Sequence, residues 1–373
     1  MSSDVSAPRW GKPPWTTDFR PQQQPLPDEV DIAILGGGFT GLAAAACLRR
    51  LAPEKSVAVF ERDCIGAGAS GHTGGLALAE TAVGDLPGLG DVLKGLGEIL
   101  SDLGVDCDLS LPGVLEVGRK RIAAHSPIYW SDSGRLQVVE EVPGGTIDPG
   151  KMVSGLARAA ENAGAPIFEG MDVGEVRFET PLRLELPGKS VRADQLLFAT
   201  NAQALELSGL AGTAEPKFTL ALATEPLPQE QLAELGLGAG KPFYTIDFPY
   251  LWGRLLHGGA VLFGSGLVHA NDWRELRAVD VAKGEALDLL TRLERRVRGL
   301  HPTLRLVEIT HRWGGPILIG ERWAPVFRRH PRSSNALVLG GFSGHGVALS
   351  VYLGKWAAEV LLGRRELPKW DAA

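Results

Sequence analysis

Between Asp31 and Glu61 the chain reads DIAILGGGFTGLAAAACLRRLAPEKSVAVFE. The apolar run Ile32–Leu35 fits a strand buried on both faces. Gly36, Gly38 and Gly41 follow at once in G-x-G-x-x-G spacing, and Leu42–Leu51 is rich in alanine and leucine, which favour helix. A second apolar run, Val57–Phe60, ends at Glu61. Strand, glycine turn, helix, strand and acid in that order leave few folds other than one wound about a parallel sheet. The first glycine permits the tight turn, the second lets a pyrophosphate approach the backbone, and the third lets helix and strand pack closely. The helix N-terminus offers free N–H groups and the positive end of its dipole to phosphates. Glu61, about 20 residues past the last glycine, is placed to accept hydrogen bonds from a ribose hydroxyl, which favours FAD or NAD over NADP.

A chain of 373 residues has room for one to three domains. Its net charge of -6 argues against nucleic acid or an anionic membrane as the main partner. Cys47, Cys64 and Cys107 are few, odd in number and widely spaced, which suits a reducing compartment and matches no zinc motif. The N-terminal MSSDVSAPRWGKPPW lacks the apolar core of a signal peptide, and the longest apolar stretch, Ala33–Leu48, is broken by four glycines. The expectation is a cytoplasmic protein without a membrane span.

Residues 1–28 are rich in proline and glutamine and carry Trp10, Trp15 and Phe19. They read as an extended arm packed on the body or on a second subunit, or as a mostly disordered leader. After Glu61 comes RDCIGAGASGHTGGLALAE, with five glycines at 66, 68, 71, 74 and 75, a loop lean enough for another group to lie against its backbone. Asp148-Pro149 starts a helix running to about Asn162 and stopping at Gly164. Strands are expected at Pro166–Gly170 and Asp172–Glu179, in a hairpin of Leu182–Leu186 with Ser190–Arg192, and as a buried run Asp194–Thr200. From Phe218 the strands are longer and half exposed: Leu220–Thr224, Phe243–Ile246, Tyr250–Leu256 and Ala260–Gly264. A charged helix over Glu275–Val297 and strands Leu304–Thr310 and Ala336–Leu339 follow. The last strand leads into GGFSGHGVALS and a helix over about Val347–Leu362. This second strand–glycine turn–helix unit offers another helix N-terminus, suited to negative charge on a reduced flavin.

Five segments, GGGFTGLAAA with Glu61, GAGASGHTGGL, LLFATNA, HRWGGPILIG and GGFSGHGVALS, occur in one order. In that order they resemble the FAD-dependent amine oxidoreductases of the D-amino-acid oxidase superfamily, which includes glycine, sarcosine and gamma-glutamylputrescine oxidases. The resemblance implies an α/β fold. A Rossmann-like FAD-binding domain over 29–80, 145–215 and 305–373 would receive an inserted α+β substrate domain, built on an antiparallel sheet, from 81–144 and 216–304. By the same resemblance Gly36, Gly38, Phe39, Thr40 and Gly41 hold the pyrophosphate, and Glu61 with Arg62 the adenosine ribose and its surroundings. Ala69, Ser70, Gly74, Gly75 and Leu76 line the isoalloxazine. Val173 meets adenine, and Ala199 and Thr200 lie near the pyrophosphate. Gly341, Phe342, Ser343, Gly344, His345, Gly346 and Val347 sit at the pyrimidine end of the flavin. His72 aligns with a histidine that some relatives join covalently to the flavin; the other reading is a hydrogen-bonding loop histidine beside non-covalent FAD.

Relatives that oxidise amino acids often grip the carboxylate with an arginine in the segment matching Trp313–Pro316, which here is Trp-Gly-Gly-Pro. That leans toward amines without an α-carboxylate, with Arg254 or Arg312 as substitutes for the missing group. No lysine lies between Lys241 and Lys283, where an oxygen-activating lysine is expected, so the electron acceptor is open between oxygen and a partner. Tyr250, Trp252, Arg254, His257 and His345, with Trp313, are the candidate pocket residues; Tyr250 and Trp252 also read as interface core. Aromatic walls suit an amine by apolar contact and cation–π attraction. The implied reaction is oxidation of a C–N bond, with hydride transfer to flavin N5 and an imine that hydrolyses. His345 or His257 takes the ammonium proton. Two alternatives stand beside it: a D-amino-acid or glycine-type dehydrogenase, and a flavin-binding subunit of a larger electron-transfer complex. Homo-oligomerisation is a further expectation.

Overall fold

The computed structural model describes residues 9–119 and 126–370. Two compact units emerge. One gathers residues 15–109, 147–215 and 317–370; the other gathers 9–14, 110–119, 126–146 and 216–316. The stretch 81–144, expected in one substrate domain, is divided between them at Leu109 and Ser110.

The first unit is built on a sheet ordered Val326–His330, Ser333–Gly340, Lys189–Phe198, Glu29–Leu35, Val57–Phe60, Ile167–Phe168. All neighbours after the first pair run parallel. The inner strands are covered on both faces, which is why IAIL, VAVF and LLF are continuous apolar runs rather than alternating ones. Helix Phe39–Leu51 packs between helices Pro149–Asn162 and Gly346–Leu361. Ala43, Ala44, Ala45 and Ala46 on it are fully buried, and a Cβ at Gly354 would stand 2.8 Å from Thr40 O, so only small residues allow this crossing. Asp148 caps helix Pro149–Asn162 by accepting from Lys151 N–H at 2.8 Å, with proline in the first turn.

The hairpin strand expected at Ser190–Arg192 and the buried strand expected at Asp194–Thr200 are one strand, Lys189–Phe198. Over Val191–Asp194 it alternates buried and exposed residues, and up to Ala193 it pairs with Leu182–Leu186; its last three residues, Leu196–Phe198, are all buried and pair with Ser333–Gly340. The change of pattern follows a change of neighbours, not a break in the backbone.

The second unit is a sheet ordered Ile309–Ile319, Glu215–Pro226, Ala260–His269, Trp252–Leu255, Phe243–Thr245, Val114–Gly118, Arg135–Val142, Trp130–Ser131. From Glu215–Pro226 to Phe243–Thr245 the strands pair antiparallel, as do Val114–Gly118, Arg135–Val142 and Trp130–Ser131 in turn, while Phe243–Thr245 pairs parallel with Val114–Gly118. Leu293, Val297 and Leu300 of helix Gly284–Leu300 pack on one face with Trp130, Leu222, Phe243 and Phe263. The single helix expected over Glu275–Val297 is two, Trp273–Ala278 and Gly284–Leu300. Asp280 stops the first, its carboxylate accepting from Ala282 N–H at 2.9 Å and pairing with Arg9, and Gly284 restarts at a positive φ of 55°. The strand expected at Leu304–Thr310 begins only at Ile309 and runs through the Trp-Gly-Gly-Pro segment to Ile319.

Candidate functional site

In the parallel-sheet unit the chain leaves Glu29–Leu35 toward Val57–Phe60 on one side, while Lys189–Phe198 and Ser333–Gly340 lie on the other. The strand order therefore reverses between Glu29–Leu35 and Lys189–Phe198, and a crevice at the carboxyl ends of these strands is where such sheets bind ligands. Both glycine turns and Ala199–Thr200 lie at those ends.

Gly36 has φ +111°, and a Cβ there would lie 2.6 Å from Ala199 O. A Cβ at Gly41 would stand 2.0 Å from Gly36 O, so both positions exclude any side chain. Gly38 is the N-cap of helix Phe39–Leu51 and supplies no side-chain cap. Ser70 Oγ instead accepts from Phe39 N–H at 2.9 Å. Glu61 is buried at the end of its strand; Oε2 accepts from Gly37 N–H at 2.7 Å and Oε1 from Asp63 N–H at 2.9 Å. Burial pushes its pKa up, against the pull of those two N–H groups. Arg62 pairs with Asp63 at 2.9 Å and donates to Gln203 Oε1 at 2.8 Å. Gly170 and Met171 N–H groups bond to the carbonyls of Asp63 and Glu61, and the buried Val173 follows two residues on.

The glycine-rich loop docks on this turn through Gly66 N–H to Gly37 O at 3.0 Å. Within it Ala69–His72 forms a single helical turn. His72 Nδ1 lies 2.9 Å from Gly68 O; a carbonyl only accepts, so Nδ1 carries the proton. Burial holds the His72 pKa below the usual histidine value. Gly74 and Gly75 lead into strand Leu76–Leu78.

The second turn, after Ser333–Gly340, has positive φ at Gly341, Ser343 and Gly344. Ser343 Oγ accepts from Gly320 N–H at 3.0 Å, and Ser343 N–H donates to Leu318 O at 3.0 Å. Phe342 bridges to Ile319. His345 is the N-cap of helix Gly346–Leu361, whose first turn holds Val347, and adds no side-chain cap. Its Nδ1 lies 3.3 Å from Ser343 O, which makes Nε2 the proton-accepting nitrogen. Burial lowers its pKa, so the ring is neutral at pH 7.

These residues fit FAD. The cradle at Gly36 and Gly41 has no room for side chains, and at neither helix N-terminus does the N-cap residue supply a side-chain cap. Thr200 Oγ1, between the two turns in strand order, is buried with no hydrogen-bond partner among the described residues. Asn201 and Gln203, not among the expected site residues, lie at the same strand ends: Asn201 Oδ1 accepts from Gly341 N–H at 3.0 Å. The signal for them was the polar Asn-Ala-Gln directly after a buried strand end.

Of the residues expected around substrate, Tyr250, Trp252, Arg254, His257 and Trp313 belong to the other unit. Trp252 and Arg254 alternate onto the sheet face opposite helix Gly284–Leu300. The Trp252 ring lies on Gly264, where a Cβ would stand 2.0 Å from Cζ2. Arg254 is buried. His257 is exposed in the turn before Ala260–His269, and Tyr250 is half exposed against Phe248. Trp313 is fully buried beside the arm, where Gly314 N–H donates to Trp10 O at 2.8 Å. The register sets Glu116, Tyr244, Trp252 and Gly264 in one row across four strands. Tyr244 Oη donates to Glu116 Oε1 at 2.5 Å, a pair that the sequence reading missed because its members are 128 residues apart.

The family model of the FAD dependent oxidoreductases matches residues 31–360. A probable oxidoreductase, OrdL, of Rhizobium meliloti is 27% identical over 390 residues, covering 90% of this chain and 84% of that protein. The gamma-glutamylputrescine oxidoreductase of Escherichia coli is 28% identical over 386 residues, covering 92% and 85%. Among solved structures, glycine oxidase from Bacillus cereus superposes with a TM-score of 0.74 at 19% identity, over 92% of this chain and 100% of that one. L-proline dehydrogenase from P. horikoshii gives 0.70 at 18% identity, over 93% and 97%. At these identities the two structures bear on the fold alone.

Proposed function

This chain belongs to the FAD dependent oxidoreductase family, and on that premise we propose that it oxidises the C–N bond of an amine that lacks an α-carboxylate and carries a second, charged nitrogen. The observation that carries the substrate reading is the row Glu116, Tyr244, Trp252. A carboxylate held by a phenol beside an indole face offers an ammonium both an ion pair and a cation–π contact. Two further points support it. The segment Trp313–Pro316 has no guanidinium for an α-carboxylate, and the Escherichia coli relative is named for an amine substrate.

Bound FAD supplies the hydride acceptor. The chain's own part is to hold the phosphates at the glycine turn Gly38–Gly41, to hold the ribose at Glu61, and to present the amine unprotonated. His345 Nε2 takes the proton from the substrate ammonium, since its ring is neutral at pH 7. On this reading FAD is held without a covalent bond and His72 is a hydrogen-bonding loop histidine, its Nδ1 on Gly68 O. Flavin that stays in an acid-precipitated pellet would sink that point.

A second reading, a carboxylate-bearing amino acid as substrate, draws on the buried Arg254 on the same sheet face. One experiment separates the two. The holoenzyme is mixed anaerobically with diamines and polyamines, N-methyl amino acids and D-amino acids, and bleaching of the flavin is followed. Bleaching by the diamines is expected; bleaching by amino acids alone favours the second reading, and no bleaching at all overturns both.

A further inference from the structure

In the parallel-sheet unit, the segment from Trp15 to Gln22 runs along helix Pro149–Asn162 with contacts spaced as one stripe of that helix. A Cβ at Gly150 would stand 2.0 Å from Thr16 O. Asp18 N–H donates to Ser154 Oγ at 2.9 Å, and that hydroxyl donates onward to Gly150 O at 2.8 Å. The Arg158 guanidinium lies 5.4 Å from the centre of the Phe19 ring. Gln22 N–H donates to Glu161 Oε1 at 2.9 Å. Positions 150, 154, 158 and 161 fall at steps of three or four residues and thus share a face. A segment with no regular structure of its own is thereby fixed along the whole helix.

The strap begins at the glycine-rich loop. Trp15 Nε1 donates to Gly71 O at 2.8 Å. Gly71 follows Ser70, whose hydroxyl receives the Phe39 N–H at the start of the pyrophosphate helix, and precedes His72. The helical turn Ala69–His72 is four residues long. A turn that short does not hold itself, because nucleation costs more than one or two hydrogen bonds return. Its position depends on the bonds that anchor it to its surroundings: Gly66 N–H on Gly37 O, Phe39 N–H on Ser70 Oγ, and the indole of Trp15 from the arm.

We propose that the arm is a strap for the cofactor loop and that Trp15 is a positioning residue for FAD, holding Ser70 and His72 in register with the first glycine turn. The proposal rests on the reading of these turns as the FAD site. It makes cofactor retention depend on a residue about 20 positions before the fingerprint that binds the phosphates.

The test uses full-length holoenzyme of the wild type, of Trp15→Phe, which keeps an aromatic ring but loses the N–H with part of the indole, and of Ser154→Ala, which loosens the arm away from the loop. FAD release is followed by the rise of free-flavin fluorescence on dilution, the flavin environment by visible circular dichroism, and the apoprotein by its melting temperature. Trp15→Phe is expected to release FAD about tenfold faster, a factor matching loss of one half-buried hydrogen bond. Its flavin dichroism changes, its apoprotein melts within a few degrees of wild type, and excess FAD restores the holo spectrum. Ser154→Ala shifts FAD release in the same direction by a smaller factor. A Trp15→Phe holoenzyme that keeps wild-type release and dichroism overturns the strap while leaving the FAD site standing. A wild-type chain that takes up no flavin overturns both.

Discussion

Asn201 Oδ1 accepts a hydrogen bond from Gly341 N–H at 3.0 Å, tying the ends of two neighbouring parallel strands together at the crevice proposed for FAD. Asn201 holds a positive φ of 48°, a conformation asparagine tolerates better than most residues. Asn201→Ala removes the acceptor and adds left-handed strain, together about 2 kcal/mol of stability. Asn201→Gly keeps the backbone conformation and loses only the bond, so it should fall between alanine and wild type. Urea midpoints of the three apoproteins check the order. An alanine variant as stable as wild type would remove the tie as a structural element.

Glycines 38 and 41 should fail differently. A Cβ at Gly41 meets a backbone carbonyl at 2.0 Å, whereas one at Gly38 meets the movable hydroxyl of Ser70 at 2.8 Å. Gly41→Ala is expected to prevent stable folding. Gly38→Ala should fold, displace Ser70 from Phe39 N–H, and lose FAD affinity by at least tenfold. Thermal melts of the apoproteins and flavin titration of whatever folds distinguish the two.

Much of this site was legible because its parts are local. Strand, turn, helix and acid sit within 31 consecutive residues, and each has a residue type that physics nearly dictates. Ser70 and His345 were also reachable, being embedded in glycine-rich runs. What sequence could not give is what only register creates. Glu116 and Tyr244 meet through a parallel pairing of strands far apart in the chain, and neither lies in a motif. Asn201 matters because a strand end happens to neighbour the second turn. Lys189–Phe198 was divided because its neighbours change midway, which alters the burial pattern without altering the backbone.

Stability of the apoprotein should fall on the acid side. His72 and His345 are both held below the ordinary value of 6.5, first by burial, against hydrogen bonds to the carbonyls of Gly68 and Ser343. A histidine with a depressed folded pKa contributes stability fully present above 6.5 and lost as pH falls through its folded value. Urea midpoints taken downward from neutral pH should therefore decline through that window. His345→Gln, which cannot charge, should decline less steeply than wild type. Parallel curves for the two chains would mean His345 does not stay neutral in the fold.

Glu116 tests the substrate reading most sharply, because it belongs to the antiparallel-sheet unit and to none of the flavin motifs. In Glu116→Gln the Tyr244 hydroxyl keeps an acceptor, while the charge that would face an ammonium is gone. Binding should weaken while the chemistry at the reacting carbon is untouched, so KM for a diamine should rise about tenfold with kcat nearly unchanged, as loss of one charge-assisted contact implies. Tyr244→Phe leaves the carboxylate in place and should cost less. Monoamines, with no second charge to anchor, should show little difference between Glu116→Gln and wild type. If diamine and monoamine KM values rise together, Glu116 supports the sheet rather than the substrate, and the charged second nitrogen is no part of what this enzyme recognises.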